Sequence, residues 1–151
     1  MGSANKNEIK KLSTDLPIEG SITIVEPGRD IYTWKMKEWA GVDPDTGSPM
    51  WWIVNRDKNG KEISREKTTN YNKATKEYVG KASPKFQGSL TSSLNLYGFD
   101  FSFQLNYSLG SKIFGNNLVY DEQTGAAGVQ NTTRYVYENR WQKPGDEALV
   151  P

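Results

Sequence analysis

From Phe86 to Leu109 the sequence alternates, and it changes parity once. Phe86, Gly88, Leu90, Ser92, Leu94 and Leu96 hold the even positions, and Lys85, Gln87, Ser89, Thr91, Ser93 and Asn95 the odd ones. From Phe99 the order inverts: Phe99, Phe101, Phe103, Leu105, Tyr107 and Leu109 are odd, with Asp100, Ser102, Gln104, Asn106 and Ser108 between them. Successive residues of a strand point to opposite faces, so a period of two excludes a helix here and demands a two-faced sheet. A two-residue loop at Tyr97-Gly98 pairs Leu96 with Phe99, Leu94 with Phe101 and Leu90 with Leu105, so both apolar faces coincide. A slip of one residue sets Leu against Gln and destroys both. Gly98 supplies the positive φ such a turn needs, whereas Tyr97 is poorly suited to a primed turn, so the turn type stays open.

Two settings produce such a hairpin. One is a soluble antiparallel sheet, apolar toward a core and polar toward water. The other is an outer-membrane barrel, apolar toward lipid and polar toward the lumen. Three features favour the barrel. Each strand has about the length of a tilted membrane-crossing strand. The polar face carries Ser, Thr, Gln and Asn with one Asp, where a solvent face usually carries Lys and Glu. The pair also has a tight turn at one end and long polar segments at the other, the asymmetry of bacterial barrels.

Composition narrows the function. Lys and Arg number 19 and Asp and Glu 18, a net charge of +1, so the basic surplus of a nucleic-acid binder is missing. Histidine and cysteine are absent, which removes Ser-His-Asp and Cys-His catalysis, disulfides and the usual zinc sites. The chain reads as a non-enzyme with no cofactor and no metal site. Mean hydropathy is −0.75, so no membrane helix is present. Charge is uneven: residues 1–85 hold 15 basic and 12 acidic residues (+3), and residues 86–151 hold 4 and 6 (−2). The second part is poor in charge without being hydrophobic on average, as a one-sided sheet must be.

Elsewhere the signals are local. Met1-Gly2-Ser3 has the look of a cloning scar, and residues 1–20 read as that scar plus a polar segment without a secretory leader. Asp15-Leu16-Pro17 argues against a long helix. Ser21–Val25 reads as a short strand. Ile31–Ala40 and Met50–Val54 read as strands of a hairpin spanning 31–55, joined by Gly41-Val42-Asp43-Pro44-Asp45-Thr46-Gly47-Ser48-Pro49, a dense turn signal. Residues 56–80 read as a charged loop, solvated or at most a ragged strand. After the hairpin at 85–110, residues 111–151 read as a long outer loop, with loop composition at Gly125-Ala126-Ala127-Gly128 and a short helix or extended edge at Tyr135–Trp141.

Few motifs carry chemistry. Asp43 and Asp45 before Gly47 repeat a fragment of a calcium loop, but the further oxygen ligands are absent in register, and a β-turn accounts for them. Gly41, Asp43, Pro44, Gly47 and Gly98 are therefore read as turn-forming. Asn106-Tyr107-Ser108 and Asn131-Thr132-Thr133 match the glycosylation pattern and carry no weight. Trp51, Trp52 and Trp141 are the ligand-binding candidates, since a sugar ring packs well on indole. Strand packing or an interfacial aromatic belt is the more direct account of each.

Five segments, in order, resemble one family. Trp39–Pro49 resembles the "aGVDpeTGdP" signature in the C-terminal barrel of SusC/RagA-type TonB-linked outer-membrane proteins of Bacteroidetes. Gly80-Lys81-Ala82-Ser83-Pro84-Lys85-Phe86-Gln87-Gly88 is similar to its "G-x-a-x-P-k-f-x-G-G" segment. Gly98–Phe103 is similar to "G-f-D-l-s", Tyr107–Ile113 to "y-x-x-G-g-k-i", and Arg140–Asp146 to "n-R-W-x-k-p-G-D". Departures are small: Gln87 and Ser89 flank Gly88 where the family often has a second glycine, and Tyr97 stands where it often has Lys.

The resemblance implies an all-β fold: antiparallel hairpins forming part of a large barrel of about 22 strands, with long outer loops. An open piece of such a barrel leaves strand edges that lipid does not tolerate. It further implies a parent in the cell outer membrane that imports glycans or peptides with a SusD-like surface lipoprotein, driven by TonB. Leu90, Leu94, Leu96, Phe99, Phe101, Phe103 and Leu105 would then meet outer-membrane lipid, and Thr91, Asn95, Asp100, Gln104 and Asn106 the lumen. The competing reading is a soluble β-sandwich that binds carbohydrate or serves as an interaction module.

Overall fold

The computed structural model describes residues 1–14, 16–122 and 131–151; the Asp15 and Gly125–Gly128 expectations fall outside them. In chain order the strands are β1 (Gly2–Ala4), β2 (Ile18–Glu19), β3 (Thr23–Val25), β4 (Thr33–Lys37), β5 (Trp39–Val42), β6 (Pro49–Arg56), β7 (Glu62–Thr68), β8 (Lys76–Lys81), β9 (Phe86–Leu96) and β10 (Phe99–Leu109). Two short helices follow, α1 (Asn116–Asp121) and α2 (Arg134–Asn139). With 44% strand and 9% helix, and antiparallel pairing in the strand ladders, the all-β class expected from the alternation is the one observed. The described sheets are open, not a closed barrel.

The chain divides into two compact units, Met1–Met36 with Tyr78–Ile113, and Lys37–Glu77 with Phe114–Pro151. In the first, β1, β9 and β10 form one sheet, and β2, β3, β4 and β8 form another in that order. Ile24, in β3 of the second sheet, is only 1% exposed. β9 and β10 pair from Leu96↔Phe99 to Phe86↔Leu109, the register expected from the parity change. Gly2 and Ser3, from the segment Met1-Gly2-Ser3 that has the look of a scar, pair with β9 together with Ala4, Gly2 opposite Gly88 and Ala4 opposite Phe86. Their small side chains leave room for Tyr107, whose hydroxyl lies beside Gly2 and Gly88.

In the second unit β6 lies between β5 and β7. Its buried apolar residues are Val42, Val54, Ala74 and Val136. Thr133 caps α2 by accepting the Val136 N–H through its hydroxyl, so the residue that ends the discounted glycosylation pattern starts a helix.

Three expectations change here. The strand expected over 31–40 is two strands in two sheets. Asp30 takes the Tyr32 N–H on its carboxylate and the Thr33 hydroxyl on its carbonyl, which holds residues 30–33 in a turn until β4 begins. At the far end Glu38 gives its carbonyl to the Trp52 N–H, and a bulge at Trp39/Gly41 re-aims the chain along β6. The charged loop expected over 56–80 contains β7, paired with β6 from Trp51↔Thr68 to Arg56↔Glu62, and then β8. Charge is at home on β7 because it is an edge strand, where it discourages further pairing. The outer loop expected over 111–151 contains α1, which that expectation lacks, and α2, which is the short helix given as one alternative at Tyr135–Trp141.

Candidate functional site

The hairpin β9–β10 is the largest regular feature, and its two faces differ chemically. Leu90, Leu94, Leu96, Phe99, Phe101, Phe103 and Leu105 share one face with Phe86, Tyr107 and Leu109, and the first seven are 46–80% exposed. Phe101 and Phe103 contact each other, with ring centroids 6.2 Å apart. The opposite face is stitched by polar pairs. Asn95 donates to the Asp100 carboxylate from the directly opposite position, and the Gln104 amide donates to Asn106 at 3.1 Å. Among the described residues the buried apolar core is Ile24, Val42, Val54, Ala74 and Val136, none of them in the hairpin. Eleven residues at about 3.4 Å each make a strand roughly 37 Å long. Tilted by ~40°, it rises roughly 28 Å, enough for an apolar band ~25 Å tall.

The turn at the tip is settled. Tyr97 has φ 51° and Gly98 φ 84°, positive at both central positions as a type I′ turn requires. Gly98 adopts this freely, while Tyr97 bears the steric cost of the left-handed region. Its side chain is 93% exposed and has no packing to repay that cost.

The expected tryptophans are not brought together. Trp51 and Trp52, being adjacent in β6, lie on opposite faces. Trp51 sits in an edge-to-face series with Trp39 at 6.1 Å and Tyr71 at 5.0 Å. Lys37 lies 3.7 Å above the Tyr71 ring. Trp52 lies under Lys67 at 5.5 Å and Arg65 at 5.9 Å. Trp141 is at the 43–48 turn. Its indole N–H donates to the Pro44 carbonyl at 2.9 Å, and its ring covers Gly47 so closely that a Cβ there would stand 2.6 Å from ring carbons. The Gly145 N–H reaches the same Pro44 carbonyl at 2.9 Å, and Asp146 accepts the backbone N–H groups of Gln142 and Lys143.

Asp43, Pro44 and Gly47 therefore belong to one turn with Trp141 laid across it, whereas Gly41, expected to form that turn, lies in β5 opposite Met50. Inside that turn the Asp43 carboxylate accepts the Asp45 N–H at 2.9 Å. That bond, followed by the Thr46 side chain, holds its carboxyl below the usual carboxylate range. The local hydrogen bonding answers the turn reading of the two aspartates. Among the described residues no group of three or more Asp or Glu is gathered as a metal site would need.

One cluster had no sequence signal. Asp30 is 6% exposed and receives Lys81 at 3.0 Å, Ser83 at 3.0 Å and the Tyr32 N–H at 3.0 Å. Burial pushes its carboxyl up, but these donors and the Lys81 charge outweigh burial and hold it below its ordinary value. Its partners lie 51 and 53 residues away, beyond any local pattern.

No protein-family model and no curated protein matches the sequence. Solved structures do. One, of the RagAB peptide transporter, superposes with a TM-score of 0.77 at 23% identity over 99% of this chain. The chain has the fold of a RagAB segment. A second structure, of the RagAB peptide importer in its closed-closed state, matches 95% of this chain at 22% identity and a TM-score of 0.65. The chain spans 17% of the solved RagAB chain in each comparison. The RagAB likeness accounts for open sheets in so short a chain, because the matched segment is a small part of a larger architecture.

Proposed function

We propose that this chain is barrel wall and outer loop of an outer-membrane, TonB-dependent transporter of the SusC/RagA type. One observation carries the reading: the hairpin's apolar face contributes nothing to the protein's own core and stays exposed along its whole length. Large continuous apolar surface of this kind needs a partner phase, and the strand length fits the apolar thickness of a membrane. On this reading Leu90, Leu94, Leu96, Phe99, Phe101, Phe103 and Leu105 meet lipid, and Thr91, Asn95, Asp100, Gln104 and Asn106 face the lumen. The parent takes up glycans or peptides with a SusD-like lipoprotein and draws energy from TonB; the RagAB likeness supports peptides as one cargo class. Trp51 and Trp52 offer ring faces for that cargo. Quenching of tryptophan emission by oligosaccharide or peptide, lost in Trp51→Ala or Trp52→Ala, tests that part.

The wall itself is tested in the full-length parent. Phe103→Arg near mid-membrane costs about 2–4 kcal/mol of barrel stability, while Gln104→Arg costs little. Heat-modifiable migration of the folded barrel on gels reads both. A parent that tolerates Phe103→Arg and fails to assemble with Gln104→Arg reverses the faces. A sharp monomer peak of the 151-residue chain without detergent, with fixed near-ultraviolet aromatic signals, favours the soluble β-sandwich instead.

A further inference from the structure

At the end of the hairpin opposite the Tyr97-Gly98 turn, a groove of 560 Å³ is lined by Asn5, Lys6, Asp30, Lys81, Lys85 and Phe86 among others. Strand pairing assembles it. Ala4 stands opposite Phe86, and the Asn5 N–H donates to the Lys85 carbonyl at 3.0 Å, which brings Lys6 and Lys85 to the same rim. Three lysines against one aspartate leave a surplus of two positive charges in the lining. Lys81 is committed to Asp30 at 3.0 Å. The other two are held loosely or not at all. Lys6 is only 3.6 Å from Glu8, a carboxylate already held by Lys10 at 2.8 Å, and Lys85 makes no ion pair among the described residues. The exposed surface of the lining as a whole is mainly apolar, and it runs into Phe86, the first residue of the exposed apolar face.

We propose that this groove binds the phosphorylated headgroup of a membrane lipid, its acyl chains lying along Phe86 and the strip beyond it. The proposal rests on the barrel-wall reading, which puts this end of the hairpin at the outer membrane surface. Charge complementarity selects the phosphate, and continuity with the apolar strip selects a lipid over a free anion. Lys6 and Lys85 supply the cationic contacts, and the Lys81–Asp30 pair fixes the groove floor.

The test is binding of the chain to phosphatidylcholine vesicles with and without phosphatidic acid. The preference for phosphatidic acid should fall about 30-fold in Lys6→Gln/Lys85→Gln, roughly fivefold per lysine. The control Lys58→Gln/Lys61→Gln, which removes the same charge from an exposed turn, should change it less than about twofold. Equal losses from both pairs, or full displacement by millimolar inorganic phosphate, overturn the groove as a lipid site. Unchanged near-ultraviolet circular dichroism in each variant excludes misfolding as the cause. Binding to neutral vesicles with no preference for phosphatidic acid sinks the groove alone. Absence of binding to either vesicle also overturns the groove, while the wall reading stands or falls separately with Phe103→Arg against Gln104→Arg in the full-length parent.

Discussion

Gly47→Ala probes the Trp141 contact that holds the 43–48 turn from far along the chain. Gly47 has φ 70°, and its ideal Cβ lies 2.6 Å from Trp141 Cδ2 and Cε3, where carbon atoms in contact normally stand about 3.5–4.0 Å apart. The alanine first bears the left-handed backbone, about 1–2 kcal/mol. It then forces the indole off the turn by about an ångström, which breaks the 2.9 Å bond to Pro44 and removes about 1 kcal/mol more. The expected destabilisation is about 2–3 kcal/mol. Urea unfolding in detergent micelles, followed by tryptophan emission, measures it. A double-mutant cycle separates the terms. With Trp141→Ala already in place nothing remains to collide with, and Gly47→Ala should cost only the backbone term. The coupling between the two sites is then about 1 kcal/mol. Additive effects, with coupling inside the ~0.5 kcal/mol scatter of independent sites, would falsify the contact as a source of rigidity.

Two further outcomes follow from the same geometry. Tyr97→Asn should stabilise the hairpin by about 1 kcal/mol, because Asn tolerates φ 51° and the exposed phenol loses no packing; a shift to lower urea midpoint would show that Tyr97 is held by contacts its exposure hides. Asp30 should make the chain acid-sensitive. Its folded-state value lies below the ordinary 3.8, so its contribution is complete above that value and is lost as pH falls through the lowered one. Asp30→Asn should flatten the stability profile below about pH 4, and an unchanged profile refutes the sign.

The hairpin was legible because every determinant of it is local. Parity fixes the faces, and with a two-residue turn it fixes the register, since a single slip puts Gln104 or Asn106 among leucines. The turn type was not legible, because it required Tyr97 to accept a conformation its side chain opposes. β7 hid behind its charges. Yet Glu62, Ser64, Glu66 and Thr68 alternate with Ile63, Arg65 and Lys67, and this alternation of sign is a period-two signal that apolar patterning overlooks. Strand 31–40 failed for a different reason: Tyr32, Trp34 and Met36 do alternate, but the Asp30 carboxylate takes a backbone donor that the ladder needed. The roles of Trp141 and Lys81 depend on partners 97 and 51 residues away, which no window along the chain contains.

The same contrast bears on what stabilises the protein. Five buried apolar residues serve the described chain, and four of them, Val42, Val54, Ala74 and Val136, are no larger than valine. Conformational entropy grows with every ordered residue, so a chain of this length needs far more apolar burial than these supply. Further apolar side chains are laid out on β9 and β10, where they stay exposed, and on the barrel-wall reading a second phase supplies their burial. A mean hydropathy of −0.75 excludes membrane helices and leaves strands untouched, because the Ser, Thr, Gln and Asn of one face cancel the Leu and Phe of the other in any average. On the barrel-wall reading, lipid or detergent acts as a ligand of the folded state, and stability is then a property of the chain and its amphiphile together. This is why the Phe103→Arg and Gln104→Arg comparison is decisive: it changes neighbouring residues by the same charge, and only the face distinguishes them.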